Sequence, residues 1–165
     1  MHIQKCMIAI LLLCIPSNSY AEGEITCLAK NIYFESRNQP WVGQVAVAQV
    51  TLNRVRDSRF PNTICKVVKQ KRNRKTCQFS WYCDGLSDKP KNMKKYREIF
   101  NTAIYIYTSD LPDLTEGALW YHTTTVQPWW AKSYRRTINI NDHIFYARPR
   151  GSWGNVWTHG WPSRT

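Results

Sequence analysis

From Ile25 onward the chain places apolar side chains at Ile25, Leu28, Ala29 and Ile32, three and four residues apart. That spacing predicts an amphipathic helix over 25–37. The next step of the period lands on Glu35 or Ser36, so Glu35 falls on the C-terminal rim of the stripe that faces the core. Pro40 and Gly43 interrupt the pattern. From Val42 or Gly43 to Arg56 the chain is apolar almost all round, with Val45, Ala46, Val47, Ala48, Val50, Leu52 and Val55, and Gln44, Gln49, Thr51 and Asn53 as uncharged polar exceptions. A helix of that composition is expected to be central and buried. Pro61 suits the first position of a short helix that ends at Val68. Residues 70–91 are polar and basic and read as a loop. Tyr96, Ile99, Phe100, Ala103 and Ile106 define one face of a third long helix over 92–107. A turn region, 110–117, precedes three short strands at 118–123, 137–141 and 143–148. With no internal repeat and no low-complexity segment, the pattern is that of a small α+β domain, mainly helical, with a short sheet.

The first residues follow a different pattern. Lys5, the apolar run 7–15 and the small residues around Ala21 read as a secretory signal peptide over 1–21, with the mature domain over 22–165. The run is too short for a transmembrane span. An uncleaved anchor is the alternative, and a lipoprotein at Cys14 is disfavoured because Leu13 precedes it. Beyond the leader remain Cys27, Cys65, Cys77 and Cys83, an even number, which implies two disulfides in an oxidising, exported location, either periplasmic or extracellular. Four cysteines allow three pairings; Cys77 and Cys83 are near enough to staple a local loop, which would leave Cys27 with Cys65, but the sequence does not choose among the three. A zinc site is the rival reading, but there is no Cys-x-x-Cys and no His pair at ligand spacing.

The formal charge is +12, or +11 once Lys5 leaves with the leader. Basic residues concentrate at 66–75, 89–97 and 132–136. Such a surface attracts nucleic acid, anionic membrane or an acidic polymer. An exported protein rarely meets nucleic acid, so the anionic cell envelope is the expected partner. Eight Trp and nine Tyr supply faces that stack on sugar rings, and some of them must belong to the core.

The chemistry narrows by exclusion. There is no Gly-x-Ser-x-Gly, no Gly-rich phosphate loop and no unpaired cysteine expected among the four. A metal hydrolase would need His122, His143 and His159 to converge with a carboxylate, so no metal and no cofactor is expected. Asp57, Asp84, Asp88, Asp110, Asp113, Glu116 and Asp142 fall in loops or at element ends, which leaves Glu35 as the carboxylate embedded in an apolar helical pattern. A carboxylate in such surroundings has a raised pKa, which suits a general acid at neutral pH. The plain alternative is a helix-end charge paired with Arg37 or another arginine.

Several stretches, in order along nearly the whole mature chain, are similar to one family. They are residues 29–40, Gly43-Gln44-Val45-Ala46-Val47-Ala48, Leu52-Asn53-Arg54-Val55, Phe60-Pro61-Asn62-Thr63-Ile64, Gln78-Phe79-Ser80, residues 113–118, Tyr121, Pro128, Trp130 and His143-Ile144-Phe145-Tyr146. They resemble the cell wall hydrolases typified by the spore cortex-lytic enzymes SleB and CwlJ. The resemblance implies a mainly helical α+β domain with lysozyme-like features, Glu35 as catalytic acid, and peptidoglycan as substrate. Cleavage is implied between N-acetylmuramic acid and N-acetylglucosamine by a lytic transglycosylase. A hydrolytic muramidase, an amidase and a non-catalytic wall-binding module are the alternatives. The run Ser36-Arg37-Asn38-Gln39 departs from the family in being basic and polar, and nothing implies sporulation. A periplasmic enzyme or a phage lysis enzyme fits the short exported domain, acting as a monomer. By residue type, Gln78, Phe79, Ser80, Tyr121, His122 and Trp130 are expected to contact substrate. Trp81 and Trp129 are platforms if exposed. Thr51, Asn53 and His143 are expected to be structural or to orient Glu35.

Overall fold

The computed structural model describes residues 19–73 and 76–149. Its helices are α1 (Ser19–Ser36), α2 (Trp41–Arg56), α3 (Ile64–Val68) and α4 (Met93–Thr108). Its strands are β1 (Trp120–Thr123), β2 (Arg135–Ile140) and β3 (His143–Ala147), which form one antiparallel sheet in the order β1-β3-β2. The small α+β architecture matches the sequence expectation. Most of the expected leader and the Gly/Trp-rich tail, 151–165, lie outside the described residues. No described helix is long and apolar enough to cross a membrane.

α2 is the centre of the molecule. Its residues from Gly43 to Arg54 are all buried, because α1, α3 and α4 cover one side and the sheet covers the other. Leu28 and Ile32 of α1, Val45 and Ala48 of α2, Val67 and Val68 of α3 and Ile99 and Ala103 of α4 fill the main core. A smaller cluster of Ala46, Val50, Ala118 and Phe145 seals α2 against the sheet.

A buried helix must satisfy every polar side chain it carries. The polar residues of α2 do so by tethering other segments. Gln49 donates from Nε2 to the Pro112 carbonyl at 2.7 Å, and its Oε1 accepts the Leu114 N–H at 2.9 Å. Asn53 donates to Asp113 Oδ2 at 2.8 Å and to the Ala118 carbonyl at 3.1 Å. Asp113 in turn accepts the Gly117 N–H at 2.7 Å, in a turn where Glu116 and Gly117 both have positive φ, 55° and 76°. Residues 49 and 53, one helical turn apart, thereby aim the chain into β1.

Three expectations change. Pro61 lies before α3 rather than at its first position. The cap is Thr63, which accepts the Lys66 N–H at 3.2 Å, and the Ile64 N–H is taken by the Glu24 carboxylate at 2.5 Å. Glu24 is buried as well, so Glu35 is not the only carboxylate folded into α1; Glu24 is held by a helix N-terminus, which suits a charge. The third change is in the sheet. β1 begins at Trp120 rather than at residue 118, β2 begins at Arg135 ahead of a register shift, and a 3-10 turn, Trp129–Ser133, crosses between the two strands.

Disulfides join Cys27 to Cys65 and Cys77 to Cys83, the pairing that proximity suggested. The first ties α1 to α3 across 38 residues. Chain-entropy arguments assign a loop of that size about 4 kcal/mol. Replacing Cys27 and Cys65 together with serine is expected to lower unfolding stability by about that amount. Denaturation in urea would register the loss, and an unchanged midpoint would refute the tether.

Candidate active site

Glu35 occupies the last turn of α1, where the apolar stripe of Leu28 and Ile32 continues onto a polar residue. Its side chain is partly buried, and Oε2 accepts a hydrogen bond from the Tyr121 hydroxyl at 2.9 Å. Burial pushes the Glu35 pKa up; the Tyr121 hydrogen bond and the Arg54 cation pull it down without cancelling the rise. Its position at a helix C-terminus, the negative end of the dipole, acts in the same upward direction. No described cation lies within ion-pairing distance of Glu35. Arg37, a partner considered on sequence grounds, instead donates to the Tyr33 carbonyl and lies over the Tyr33 ring.

Tyr121 reaches Glu35 because strand residues alternate between faces. Tyr121 pairs with Phe145 across β1 and β3 and faces the helices. Burial, together with the adjacent Glu35 charge, holds its phenol pKa well above the usual value, so Tyr121 stays a hydrogen-bond donor. His143 stands on the same face, edge-on to Tyr121 with centroids 5.2 Å apart. It is 3% exposed, and its Nδ1 has no hydrogen-bond partner among the described residues. Burial lowers the His143 pKa and His122 adds to the fall, against the opposing pull of Asp142. His143 is therefore a neutral ring that packs Tyr121 in place.

The α2 side chain whose charge reaches Glu35 is Arg54, which sequence reasoning passed over. Arg54 is 3% exposed. Its Nε donates to the Leu119 carbonyl at 2.8 Å, its guanidinium lies over Phe79 and Phe60 at 4.9 and 5.6 Å, and Nη1 has no partner among the described residues. Burial lowers its pKa to about 10, with Tyr121 and Glu35 opposing the fall. It remains a cation at neutral pH. The signal was present in the sequence: an arginine inside an apolar helix must find a negative or aromatic neighbour.

Thr51 and Asn53 bond elsewhere. Thr51 accepts from Asn31 Nδ2 at 3.0 Å, and Asn31 Oδ1 accepts the Trp81 indole N–H at 3.0 Å. The Trp81 ring stacks on Phe34 at 4.6 Å, which brings the loop 78–82 alongside the turn that carries Glu35. Within that loop Ser80 is exposed and Gln78 partly exposed, so both are open to a ligand. Phe79, expected to touch substrate, is 2% exposed and serves as the floor under Arg54. Trp81 is likewise buried.

His122 and Trp130 do not join Glu35. His122, next to Tyr121 on β1, points to the opposite face of the sheet. There it bonds the Thr123 carbonyl through Nδ1 and the Tyr146 hydroxyl through Nε2, at 2.8 and 2.9 Å, with Trp130 edge-on to its ring. No group of three potential metal ligands occurs among the described residues.

The arrangement is therefore one desolvated carboxylate with a permanent phenol donor and a nearby buried cation. It can hold a proton more readily than an exposed carboxylate does, release it, and take one back.

A family model described as cell wall hydrolase matches residues 38–146, a span that begins just after Glu35. The spore cortex-lytic enzyme of Bacillus cereus is 47% identical over 129 residues, 78% of this chain and 46% of that protein. That of Bacillus subtilis is 32% identical over 129 residues, 76% of this chain and 38% of that protein. The chain thus spans less than half the length of these curated relatives. Among solved structures, the catalytic domain of the Bacillus cereus SleB protein aligns with TM-score 0.59 at 30% identity, covering 79% of this chain and 94% of that one. The catalytic domain of the germination-specific lytic transglycosylase SleB from Bacillus anthracis aligns with TM-score 0.59 at 31% identity, covering 79% and 99%.

Proposed function

The chain belongs to the cell wall hydrolase family, and from that premise we propose that it is an exported lytic transglycosylase acting on the glycan strand of peptidoglycan. The bond cut is the one between N-acetylmuramic acid and N-acetylglucosamine. The observation that carries this reading is the Glu35 carboxyl, desolvated at the end of α1 and hydrogen-bonded to Tyr121.

Protonated Glu35 donates to the glycosidic oxygen. The bond from C1 of the muramic acid to that oxygen breaks, and the departing glucosamine keeps the proton as its 4-hydroxyl. The acetamido oxygen of the muramic acid stabilises the cation left at C1. Glu35, now a carboxylate, takes the proton from the C6 hydroxyl, and O6 closes onto C1 to give a 1,6-anhydro ring. No water is consumed, and Glu35 ends protonated as it began. One carboxylate suffices, whereas hydrolytic glycosidases ordinarily use two. Tyr121 favours the anionic state between the two proton transfers, and its raised pKa prevents it from competing as a base.

Mass spectrometry of fragments released from purified sacculi tests the reading. Anhydro-muropeptides are expected. Reducing ends would show a muramidase, free stem peptides an amidase, and binding without release a wall-binding module.

Tyr121→Phe tests the phenol. The hydroxyl stabilises the charged form of Glu35, so its removal raises the Glu35 pKa further. A hydrogen bond to a charged group is worth about 1.5–3 kcal/mol when buried, and partial exposure of Glu35 reduces the share felt here. The descending limb of the pH–rate profile for kcat/KM is expected to move to higher pH. A limb that stays in place, or moves down, would remove Tyr121 from the mechanism.

A further inference from the structure

The face of the sheet turned away from Tyr121 carries features that this reaction does not use. Trp120 and Arg136 both pair with Tyr146, from either side of β3, so the three side chains stand in one row on that face. The connection from β1 to β2 folds back across it. Trp130 sets its edge against Tyr146 at 5.6 Å, and Tyr134 stacks on Trp120 at 3.8 Å. These contacts pin the 3-10 turn Trp129–Ser133 to the sheet at both ends. Trp129 is left outside, 82% exposed. In a 3-10 turn residues three apart eclipse one another, so the exposed Lys132 stands on the same edge as Trp129. Arg136 is exposed as well.

A single exposed apolar residue is ordinary on a protein surface. Here the exposed ring belongs to a turn anchored by two other aromatic residues, with Lys132 in the same turn and Arg136 on the sheet face that the turn crosses. A sugar ring needs one such aromatic face, and a strand bearing carboxylates supplies partners for both cations. A lipid surface would ask for a broader apolar patch than one indole and its neighbour Val126 provide.

We propose that Trp129, Lys132 and Arg136 form an auxiliary binding surface for an anionic glycan strand, distinct from the site around Glu35 and Tyr121. This rests on peptidoglycan being the substrate. Because the surface lies across the sheet from Tyr121, it engages a second stretch of the wall and prolongs residence on an insoluble substrate.

Pelleting with purified sacculi tests it, using the full chain carrying Glu35→Gln so that binding is read without cleavage. Adding Trp129→Ala is expected to weaken binding about tenfold, while Trp129→Phe retains most of it. Adding Lys132→Glu with Arg136→Glu is expected to weaken binding and to flatten its dependence on salt. Equal binding by parent and Trp129→Ala would overturn the proposal. So would a loss that Trp129→Phe shares in full, or a loss seen on anionic lipid vesicles and not on sacculi. The catalytic reading fails separately: if the Glu35-bearing chain releases no fragments while Trp129→Ala weakens binding, the surface stands and the transglycosylase does not.

Discussion

Glu35→Gln is expected to abolish fragment release from purified sacculi while the fold persists. Glutamine keeps the shape and still accepts from the Tyr121 hydroxyl, but it neither donates a proton to the glycosidic oxygen nor removes one from the C6 hydroxyl. General acid–base catalysis is worth about 10²–10⁴-fold per role, and here one group plays both. A fall of at least about 10³-fold is therefore expected. The variant also has a stability signature. The folded-state pKa of Glu35 lies above its unfolded value, so between the two values the native state holds a proton that the unfolded chain releases. Native stability accordingly falls as pH rises through that window, and the deficit persists above it. Glutamine lacks the deficit. The variant should melt at the same or a higher temperature than the parent at neutral pH, and the difference should vanish below the ordinary carboxylate range. Clearance of murein at the parental rate would show that Glu35 is not the catalyst.

Arg54→Met should affect both architecture and chemistry. Methionine fills much of the space between Phe60 and Phe79, and the cost of burying a charge disappears with the guanidinium. What is lost is the Nε bond to the Leu119 carbonyl, two residues before Tyr121, and the cation that favours ionised Glu35. A buried carbonyl without a donor costs about 1–3 kcal/mol. The descending limb of the pH–rate profile should rise with the Glu35 pKa, and activity on the plateau below that limb should fall by less than about tenfold, because Glu35 becomes a weaker acid toward the glycosidic oxygen. Arg54→Ala, which also leaves a cavity, should melt lower still. An Arg54→Met profile superimposable on the parent's would confine Arg54 to packing.

Much of the scaffold was legible in the sequence because burial writes itself as periodicity. The stripe Leu28, Ala29, Ile32 located α1 and set Glu35 on its rim, and apolar residues on nearly every side of 45–55 announced a helix covered on both sides. The failures have one cause, which is that capping and facing are relational. Pro61 looked like a helix start until Thr63 and Glu24, the latter 40 residues away in sequence, supplied the caps. His122 and Tyr121 are adjacent in sequence and were grouped together, yet strand alternation sends one to Tyr146 and the other to Glu35.

The sequence by itself determined the long helices and the identity of the rim carboxylate, since each depends on periodicity along one chain, while the choice among three cysteine pairings came from the fold. The tertiary structure decided the carboxylate's company. Tyr121 is 86 residues from Glu35, and only the antiparallel order β1-β3-β2 packed on α2 turns its hydroxyl toward α1. Arg54 acquires its effect from the fold as well, because a charge on α2 influences Glu35 only when both are removed from water together. The physical reason is the same in each case. Periodicity reports how much of a side chain is buried, while a pKa depends on what it is buried against.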